Sequence, residues 1–147
     1  MNGIVRGICG NIVIEKSYEG IEGSNVTINS GTIELTASDD GINSAGGSDS
    51  SSMGGRMGQN SFTENSDIYI KITGGKVTVD ASGDGLDSNS NLIIEGGEIY
   101  VNGPTNDGNG ALDYDGTATI SGGTFVAVGS SGMVQGFSDS STQCSIL

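Results

Sequence analysis

The feature that most constrains this chain is an internal repeat of about 22 residues. Each copy has a short apolar segment, a Gly-Gly or Ser-Gly pair, a second segment in which apolar and polar residues alternate, and an acidic turn. The clearest copies of the paired segments occupy residues 26–35, 70–79, 92–101 and 118–127. Their second glycines fall at positions 31, 75, 97 and 123, and a degenerate copy surrounds Gly10. Repeats of this kind predict a solenoid in which each copy is one turn of the chain.

The repeat predicts an all-β fold, a right-handed parallel β-helix of about five to six rungs with almost no helix. Because side chains alternate between the two faces of a strand, stacked copies should form inward ladders of apolar residues. The first ladder contains Ile12, Ile33, Val77, Ile99 and Phe125, the second contains Ile14, Leu35, Val79, Val101 and Ala127, and Val13, Glu34, Thr78, Tyr100 and Val126 should point outward. The glycine pairs are expected at corners, where a residue without Cβ can adopt a positive φ.

Residues 1–147 are interpreted as a single β-helix domain, or as part of a longer one. The 44-residue step between the first two clear copies indicates one rung plus an insertion, a Ser- and Gly-rich loop over residues 44–66. The first residues lack the charged and apolar regions of a signal peptide. No apolar run approaches the length of a membrane span, so we expect no membrane insertion. Cys9 and Cys144 form no motif and are interpreted as free thiols.

The composition excludes several classes of function. With 0 His, the chain cannot build Ser-His-Asp or Cys-His catalysis in its ordinary form. The 18 acidic and 5 basic side chains give a net charge of −13, which disfavours nucleic acid as a partner. The same charge favours metal cations.

An acidic turn follows the second segment of each copy and carries the candidate chemistry. Its pattern is an acid, a glycine, an aliphatic residue and then an acid or amide, as in Asp84-Gly85-Leu86-Asp87. The glycine is expected to make the bend, the aliphatic residue to point inward and the flanking oxygens to point outward. Stacking then predicts one column of Glu19, Asp40 and Asp84, and a second column of Glu22, Asn43, Asp87 and Asp113.

These columns predict calcium binding. Two carboxylates about 5 Å apart repel each other by roughly 3 kcal/mol at an effective dielectric constant of about 20. No Lys or Arg occupies these positions, and Ca²⁺ accepts about 6–8 oxygen ligands from turns of this kind. The alternative is a solvated acidic turn, because Asp-Gly is a common turn dipeptide. The candidate ligands are Glu19, Glu22, Asp39, Asp40, Asn43, Asp84, Asp87, Asp107, Asp113 and Asp115.

The acidic turns and their surroundings also resemble a known family. Residues 17–23, 38–43, 82–89 and 103–116, together with 130–133 and 140–143, are similar to the bacterial carbohydrate-binding β-helix proteins related to polysaccharide lyase family 9, which are pectate-lyase-like. The resemblance covers about residues 11–147. It implies a calcium-containing right-handed β-helix, extracellular or at the cell surface, that binds plant or microbial polysaccharide.

Three functions follow as hypotheses. The first is non-catalytic binding of pectin, polygalacturonate or a cellulose-like glycan, with Tyr18, Tyr100 and Tyr114 either as sugar platforms or as packing residues. The second is a pectate lyase, whose base in that family is Lys or Arg; Lys16 is the candidate base, although a solvated lysine is the favoured reading. The third is a building block that stacks head to tail into filaments, because neither end shows a capping helix. We expect a binding protein and not an enzyme.

Overall fold

The computed structural model of the protein describes residues 4–8, 10–44 and 68–147, with side chains described from residue 10 onward. These residues form fourteen β-strands and no helix. The strands are β1 (Ile4–Ile8), β2 (Asn11–Ser17), β3 (Ile21–Glu22), β4 (Asn25–Ile28), β5 (Thr32–Ala37), β6 (Ile42–Ser44), β7 (Tyr69–Ile72), β8 (Lys76–Ala81), β9 (Leu86–Ser88), β10 (Asn91–Ile94), β11 (Glu98–Asn102), β12 (Leu112–Tyr114), β13 (Ala118–Ile120) and β14 (Thr124–Val128). Their richness in Ile and Val explains the strand preference.

The strands form three parallel sheets. Sheet A has the order β1-β4-β7-β10-β13, sheet B the order β14-β11-β8-β5-β2, and sheet C the order β12-β9-β6-β3. The chain therefore visits sheets A, B and C in turn and returns to a place beside its previous strand in the same sheet. The all-β class is confirmed, and the cyclic order of parallel sheets is compatible with the predicted β-helix.

The two predicted inward ladders are confirmed in register. In sheet B, Ile33 pairs with Ile12 and Val77, and the ladder continues through Ile99 to Phe125. The second ladder pairs Ile14, Leu35, Val79, Val101 and Ala127 in the same way. The central members are at most 3% exposed, whereas the members on the two edge strands are only partly buried, because they have a neighbouring strand on one side.

A third ladder, from sheet A, also belongs to the core. Ile28, Ile72, Ile94 and Ile120 pair in register, and none is more than 2% exposed. Fully burying one such side chain stabilises the fold by about 1.5–3 kcal/mol. Stacked isoleucines therefore supply the apolar contacts that hold together a chain whose surface is largely polar.

Glycines mark the corner before each strand of sheet B, as predicted. Gly10, Gly31, Gly75, Gly97 and Gly123 all have φ between 87° and 107°. Each immediately precedes a strand of that sheet. A residue with a Cβ rarely adopts this conformation, so the recurring glycine sets where each strand begins.

The first residue of the predicted insertion, Ser44, belongs to a strand. Ser44 is the last residue of β6, is buried and pairs with Ser88 of β9. The remainder of the predicted loop, residues 45–66, lies outside the described residues, and so does Cys9. Cys144 is an exposed free thiol. Within the described ranges no helix is long and apolar enough to cross a membrane.

The segment after β14 affects the hypothesis of head-to-tail stacking. Residues 138–143 run beside β13, where the Ser138 N–H donates to the Ala118 carbonyl at 2.7 Å and the Thr142 N–H to the Ile120 carbonyl at 3.2 Å. Among the strands of the described residues, β14 has only β11 as a neighbour. If a stacked copy placed its β1 beside residues 138–143, one strand position would stay empty between its β2 and β14. Stacking stays a prediction, and it requires one sheet to shift relative to the other.

Candidate metal centre

Each acidic turn connects a strand of sheet B to a strand of sheet C. Backbone bonds join successive turns: the Gly20 N–H donates to the Asp40 carbonyl at 3.0 Å, and the Gly41 N–H to the Asp84 carbonyl at 2.8 Å. Glu19, Asp40 and Asp84 therefore occupy equivalent positions in three consecutive turns. In the fourth turn the Gly85 N–H donates to the Gly110 carbonyl at 3.0 Å, so Gly110 takes the position of the acid.

The turn glycines are required by close packing. A Cβ built on Gly85 would lie 2.3 Å from Val101 Cγ1 and 2.5 Å from the Ala111 carbonyl oxygen. A Cβ on Gly41 would meet Val79 Cγ1 at 2.3 Å in the same way. Both glycines lie at a bend of the chain, as expected, but neither has a positive φ. The reason for glycine here is therefore steric. A bare Cα lets the turn approach both the core and the next turn.

We expect Gly85→Ala to destabilise the protein by about 1–3 kcal/mol, because the added methyl group overpacks a site between a core valine and backbone. Urea unfolding gives the free energy directly. Gly129→Ala is the matched control, since a Cβ there would meet its nearest atom at 3.4 Å. Equal stability of the two variants would contradict the packing argument.

Three carboxylates converge on the outer side of these turns. Asp40, Asp84 and Asp87 each offer an oxygen, and these oxygens all lie within 4.8 Å of one another. We call these three residues the aspartate cluster. All three side chains are partly buried. Asp40 and Asp84 belong to the first predicted column, whereas Asp87 belongs to the second.

Backbone N–H groups of the following turn orient two members of the aspartate cluster. Asp40 Oδ1 accepts a hydrogen bond from the Asp84 N–H at 2.7 Å, and Asp84 Oδ1 accepts one from the Gly110 N–H at 2.5 Å. The Asn43 side-chain amide donates to Asp40 Oδ2 at 3.3 Å. The turn after Asp40 and the turn after Asp84 thus each orient the carboxylate of the turn before.

The second predicted column is present in the register of sheet C. Asn43 pairs with Glu22 on one side and Asp87 on the other, and Asp87 pairs with Asp113. Glu22 is exposed, whereas Asn43 is only 1% exposed. Asp87 therefore lies between a buried amide and another carboxylate, next to the two acids of the first column.

Burial and mutual repulsion raise the pKa values of these acids. Burial raises the pKa of Asp87 to about 9, and the negative charges of Asp40, Asp113, Asp84 and Asp115 add to the shift. Burial also raises the pKa of Asp84 to about 6, although the hydrogen bond from Gly110 opposes it. Burial, followed by the charge of Asp115, raises the pKa of Asp113. Without a cation, the aspartate cluster therefore retains a proton at neutral pH.

The other candidate ligands lie around the aspartate cluster or away from it. Asp107 is exposed and accepts a hydrogen bond from the Ser130 hydroxyl, so it does not join the first column. Asp115 is exposed and acts on Asp113 through its charge. Glu19 is partly buried in the turn before Asp40. Asp39 hydrogen-bonds to Tyr18 and raises the pKa of that phenol to about 12.

The candidate sugar platforms occupy different environments. Tyr18 is 54% exposed beside the acidic turns, and Tyr100 is 37% exposed on the outer face of sheet B, with Lys76 Nζ 5.8 Å from its ring centroid. Tyr114 is partly buried against the core, and its hydroxyl donates to the Gly136 carbonyl at 2.7 Å. Tyr114 therefore packs against the core, which was the alternative to a sugar platform, whereas the rings of Tyr18 and Tyr100 remain accessible.

One contributor to the site was missed from the sequence. The Gly110 N–H fixes Asp84, yet Gly110 lies in the longer fourth copy, Asp107-Gly108-Asn109-Gly110-Ala111, whose extra residues hide its register. The signal that could have found it is Ala111-Leu112-Asp113, which aligns with Gly85-Leu86-Asp87.

Comparison of the chain with family models, with curated proteins and with solved structures finds no match. What this protein does must therefore be inferred from its own residues. The aspartate cluster, the acidic columns and the accessible tyrosines are the features that bear on it.

Proposed function

We propose that this protein is a non-catalytic, calcium-binding β-helix that binds polysaccharide outside the cell or at its surface. The observation that carries the proposal is the convergence of Asp40, Asp84 and Asp87 on one point between stacked turns. The resemblance to the pectate-lyase-like carbohydrate-binding proteins supports the glycan class and the location. The cyclic order of three parallel sheets supports a β-helix, and parallel crossovers are almost always right-handed.

The spacing of the aspartate cluster suits Ca²⁺. Calcium binds oxygen at about 2.3–2.6 Å, so two oxygens that share one ion lie at most about 5 Å apart. The cluster oxygens lie within 4.8 Å of one another, which meets this pairwise limit. The donors are hard carboxylate oxygens, and Asp113 and Glu22 extend the acidic surroundings along sheet C. A bound divalent cation would neutralise carboxylates that otherwise repel each other.

Calcium would also supply a way for an acidic protein to bind an acidic glycan. A net charge of −13 repels polygalacturonate, and a cation held by aspartates can accept a uronate carboxylate as a further ligand. Tyr18 lies beside the turns and offers an exposed ring to a sugar face. Binding of a uronate polymer should therefore depend on both Ca²⁺ and the tyrosine.

We expect immobilised polygalacturonate to retain the wild-type protein in Ca²⁺ and to release it in chelator. Asp84→Asn should weaken retention in Ca²⁺ about tenfold or more, because it removes one charged ligand. Tyr18→Ala should weaken it without changing calcium affinity. Asp139→Asn is the matched control, since Asp139 is exposed in the segment after β14. Retention that is equal with and without Ca²⁺ would contradict the bridging role of the cation.

A lyase would need a base beside the metal, and the described lysines favour binding over catalysis. Lys71 Nζ is ion-paired with Glu95 at 2.7 Å in sheet A, and Lys76 lies against Tyr100 in sheet B. Lys16 is exposed near the end of β2. Ultraviolet absorbance of unsaturated products from polygalacturonate distinguishes the two functions. Calcium-dependent product formation that Lys16→Ala abolishes would replace the binding proposal by a lyase.

A further inference from the structure

The segment between β11 and β12 contains a dipeptide with chemistry of its own, Asn109-Gly110. In an Asn-Gly pair the backbone nitrogen of the glycine can attack the side-chain carbonyl carbon of the asparagine and close a succinimide ring. The reaction is intramolecular, and glycine has no Cβ to obstruct the approach. A second pair, Asn102-Gly103, stands at the end of β11 and provides an internal comparison.

The comparison pair is held on both sides of the reacting bond. Asn102 is the last residue of β11, and its side-chain amide donates to Asp80 Oδ1 at 2.8 Å. The Gly103 N–H donates to the Val128 carbonyl at 2.8 Å. Ring closure at Asn102 would break both hydrogen bonds and turn a residue out of a paired strand. We therefore expect this pair to react slowly in the folded protein.

Asn109-Gly110 lacks these restraints. Residues 103–111 form no strand, and within the described part of the chain no hydrogen bond holds the side chain of Asn109, which is half-buried. The Gly110 N–H donates to a carboxylate and not to a strand, since its acceptor is Asp84 Oδ1 at 2.5 Å. The Gly110 carbonyl accepts from the Gly85 N–H at 3.0 Å, which keeps the glycine against the preceding turn. The nitrogen that would attack thus lies in contact with a carboxylate.

A carboxylate at this place can assist the reaction. An amide nitrogen becomes a nucleophile only when its proton is transferred, and a base within hydrogen-bond reach of that proton lowers the barrier. Asp84 Oδ1 meets this condition for Gly110. At Asn102 the corresponding acceptor is the Val128 carbonyl, which is not a base. The two pairs therefore differ in both mobility and chemistry.

We propose that Asn109-Gly110 is a self-modification site at which Asp84 acts as the base. The Gly110 nitrogen transfers its proton to the Asp84 carboxylate and bonds to Asn109 Cγ. The bond between Cγ and Nδ2 then breaks, and the side-chain nitrogen takes up the proton from Asp84 and leaves as ammonia. Water opens the succinimide, which leaves aspartate or isoaspartate at position 109.

The modification also changes the aspartate cluster. In isoaspartate the main chain runs through the former side chain, which adds a methylene group before Gly110. The Gly110 N–H then shifts relative to Asp84, which it orients in the unmodified protein. Calcium should therefore stabilise the modified protein less. This consequence rests on the calcium-binding function proposed above, whereas the reaction itself does not.

Peptide mapping by mass spectrometry, on protein kept in chelator at pH 8 and 37 °C, tests the reaction. Replacement of the amide NH₂ by OH raises the mass of the peptide, and enzymatic methylation detects isoaspartate. We expect Asn109 to convert about tenfold faster than Asn102 or more, which corresponds to about 1.4 kcal/mol in the barrier. Fresh protein should contain the unmodified peptide.

Variants test the role of the base. Asp84→Ala should slow the conversion of Asn109 about tenfold or more, because the base is removed. Asp84→Glu keeps a carboxylate and should restore part of the rate. Asp139→Ala is the matched control, since it removes an exposed acid in the segment after β14. Asn102 monitors folding in every variant, because an unfolded chain converts both pairs at similar rates.

The outcomes separate this proposal from the calcium function. Equal conversion of the two pairs in folded wild type, or an unchanged rate in Asp84→Ala, overturns the self-modification site. If Asn109 stays intact while Ca²⁺ raises the melting temperature of fresh protein, only the self-modification site fails. If Asn109 converts but Ca²⁺ has no effect on fresh protein, only the calcium function fails.

Asn109→Gln tests the link between the reaction and the aspartate cluster, because its longer side chain does not close the same ring. After ageing, this variant should keep its calcium-dependent rise in melting temperature, whereas wild type should lose part of it. An equal loss in both proteins would overturn the link.

Discussion

Adding Ca²⁺ to metal-free protein is expected to raise its melting temperature by about 5–10 °C. A ligand at a hundredfold excess over its dissociation constant stabilises the folded state by about 2.7 kcal/mol. For a chain of this size each kcal/mol corresponds to about 2–4 °C. The stabilisation arises because the cation binds Asp40, Asp84 and Asp87 together only when the turns are stacked. Differential scanning calorimetry in chelator and in Ca²⁺ measures the shift.

Variants locate the effect in the aspartate cluster. Asp87→Asn and Asp84→Asn should each remove most of the calcium-dependent rise, whereas Asp139→Asn, an exposed acid after β14, should retain it. Metal analysis of the purified protein should give a stoichiometry that falls in the first two variants only. A melting temperature that Ca²⁺ leaves unchanged, with no metal found in the protein, would sink the calcium proposal. A rise with Mg²⁺ equal to that with Ca²⁺ would contradict the choice of ion.

The ladders of sheet B could be predicted residue by residue. Two local signals made this possible: strict alternation of apolar and polar residues sets which side chains point inward, and the recurring second glycine sets where each strand begins. A register error of one residue would have placed Glu34 in the core beside Val77. Alternation in four copies left no other solution, so Ile33, Val77 and Ile99 were assigned correctly.

The aspartate cluster was only partly predictable. The two columns followed from the repeat, but the sequence placed Asp84 and Asp87 in separate columns. Whether side chains of adjacent columns converge depends on their rotamers, and these are fixed here by backbone N–H groups of the next turn, such as that of Asp84 bound to Asp40. Hydrogen bonds of this kind join successive copies, and they produce no pattern in the sequence of one copy.

The fourth copy shows a second limit. Its extra residues left the register of this turn open in the sequence, and the structure places Gly110 at the position of the first column and Asp107 beside Ser130. The extra residues of a turn can lie before or after the acid. The pairing of β12 with β9 shows which of these two arrangements occurs. Gly110 has no side chain at the position where a fourth carboxylate would stand, so the column of charges ends at Asp84.

The metal-free protein is expected to lose stability as the pH rises. The pKa of Asp87 is raised from its ordinary value of 3.8 to about 9 in the folded state, and that of Asp84 from 3.8 to about 6. The folded state therefore binds these protons more tightly than the unfolded state. The resulting stability is fully present below the ordinary value and is lost progressively as the pH rises through the folded values. In chelator, the melting temperature should fall between pH 4 and pH 9.

Variants identify the contribution of Asp87 in the upper part of this range. The chain has 0 His, but a free α-amino group ordinarily titrates at about pH 8, and the pKa of Asp113 is also raised. The part of the fall in melting temperature between pH 6 and pH 8 that Asp87→Asn removes is therefore the part assigned to Asp87. Asp87→Asn should flatten the fall, and Asp139→Asn should not. A melting temperature in chelator that is constant or rising over this interval would contradict the buried, protonated Asp87.

Stabilisation by Ca²⁺ is expected to increase as the pH rises, because the cation competes with the same protons. Binding requires the carboxylate forms, so the cation must displace the proton held by the aspartate cluster, and its affinity rises with pH. The difference in melting temperature between Ca²⁺ and chelator should therefore widen from pH 6 to pH 8. A difference that stays constant would mean that the metal does not displace this proton and is not bound by Asp87.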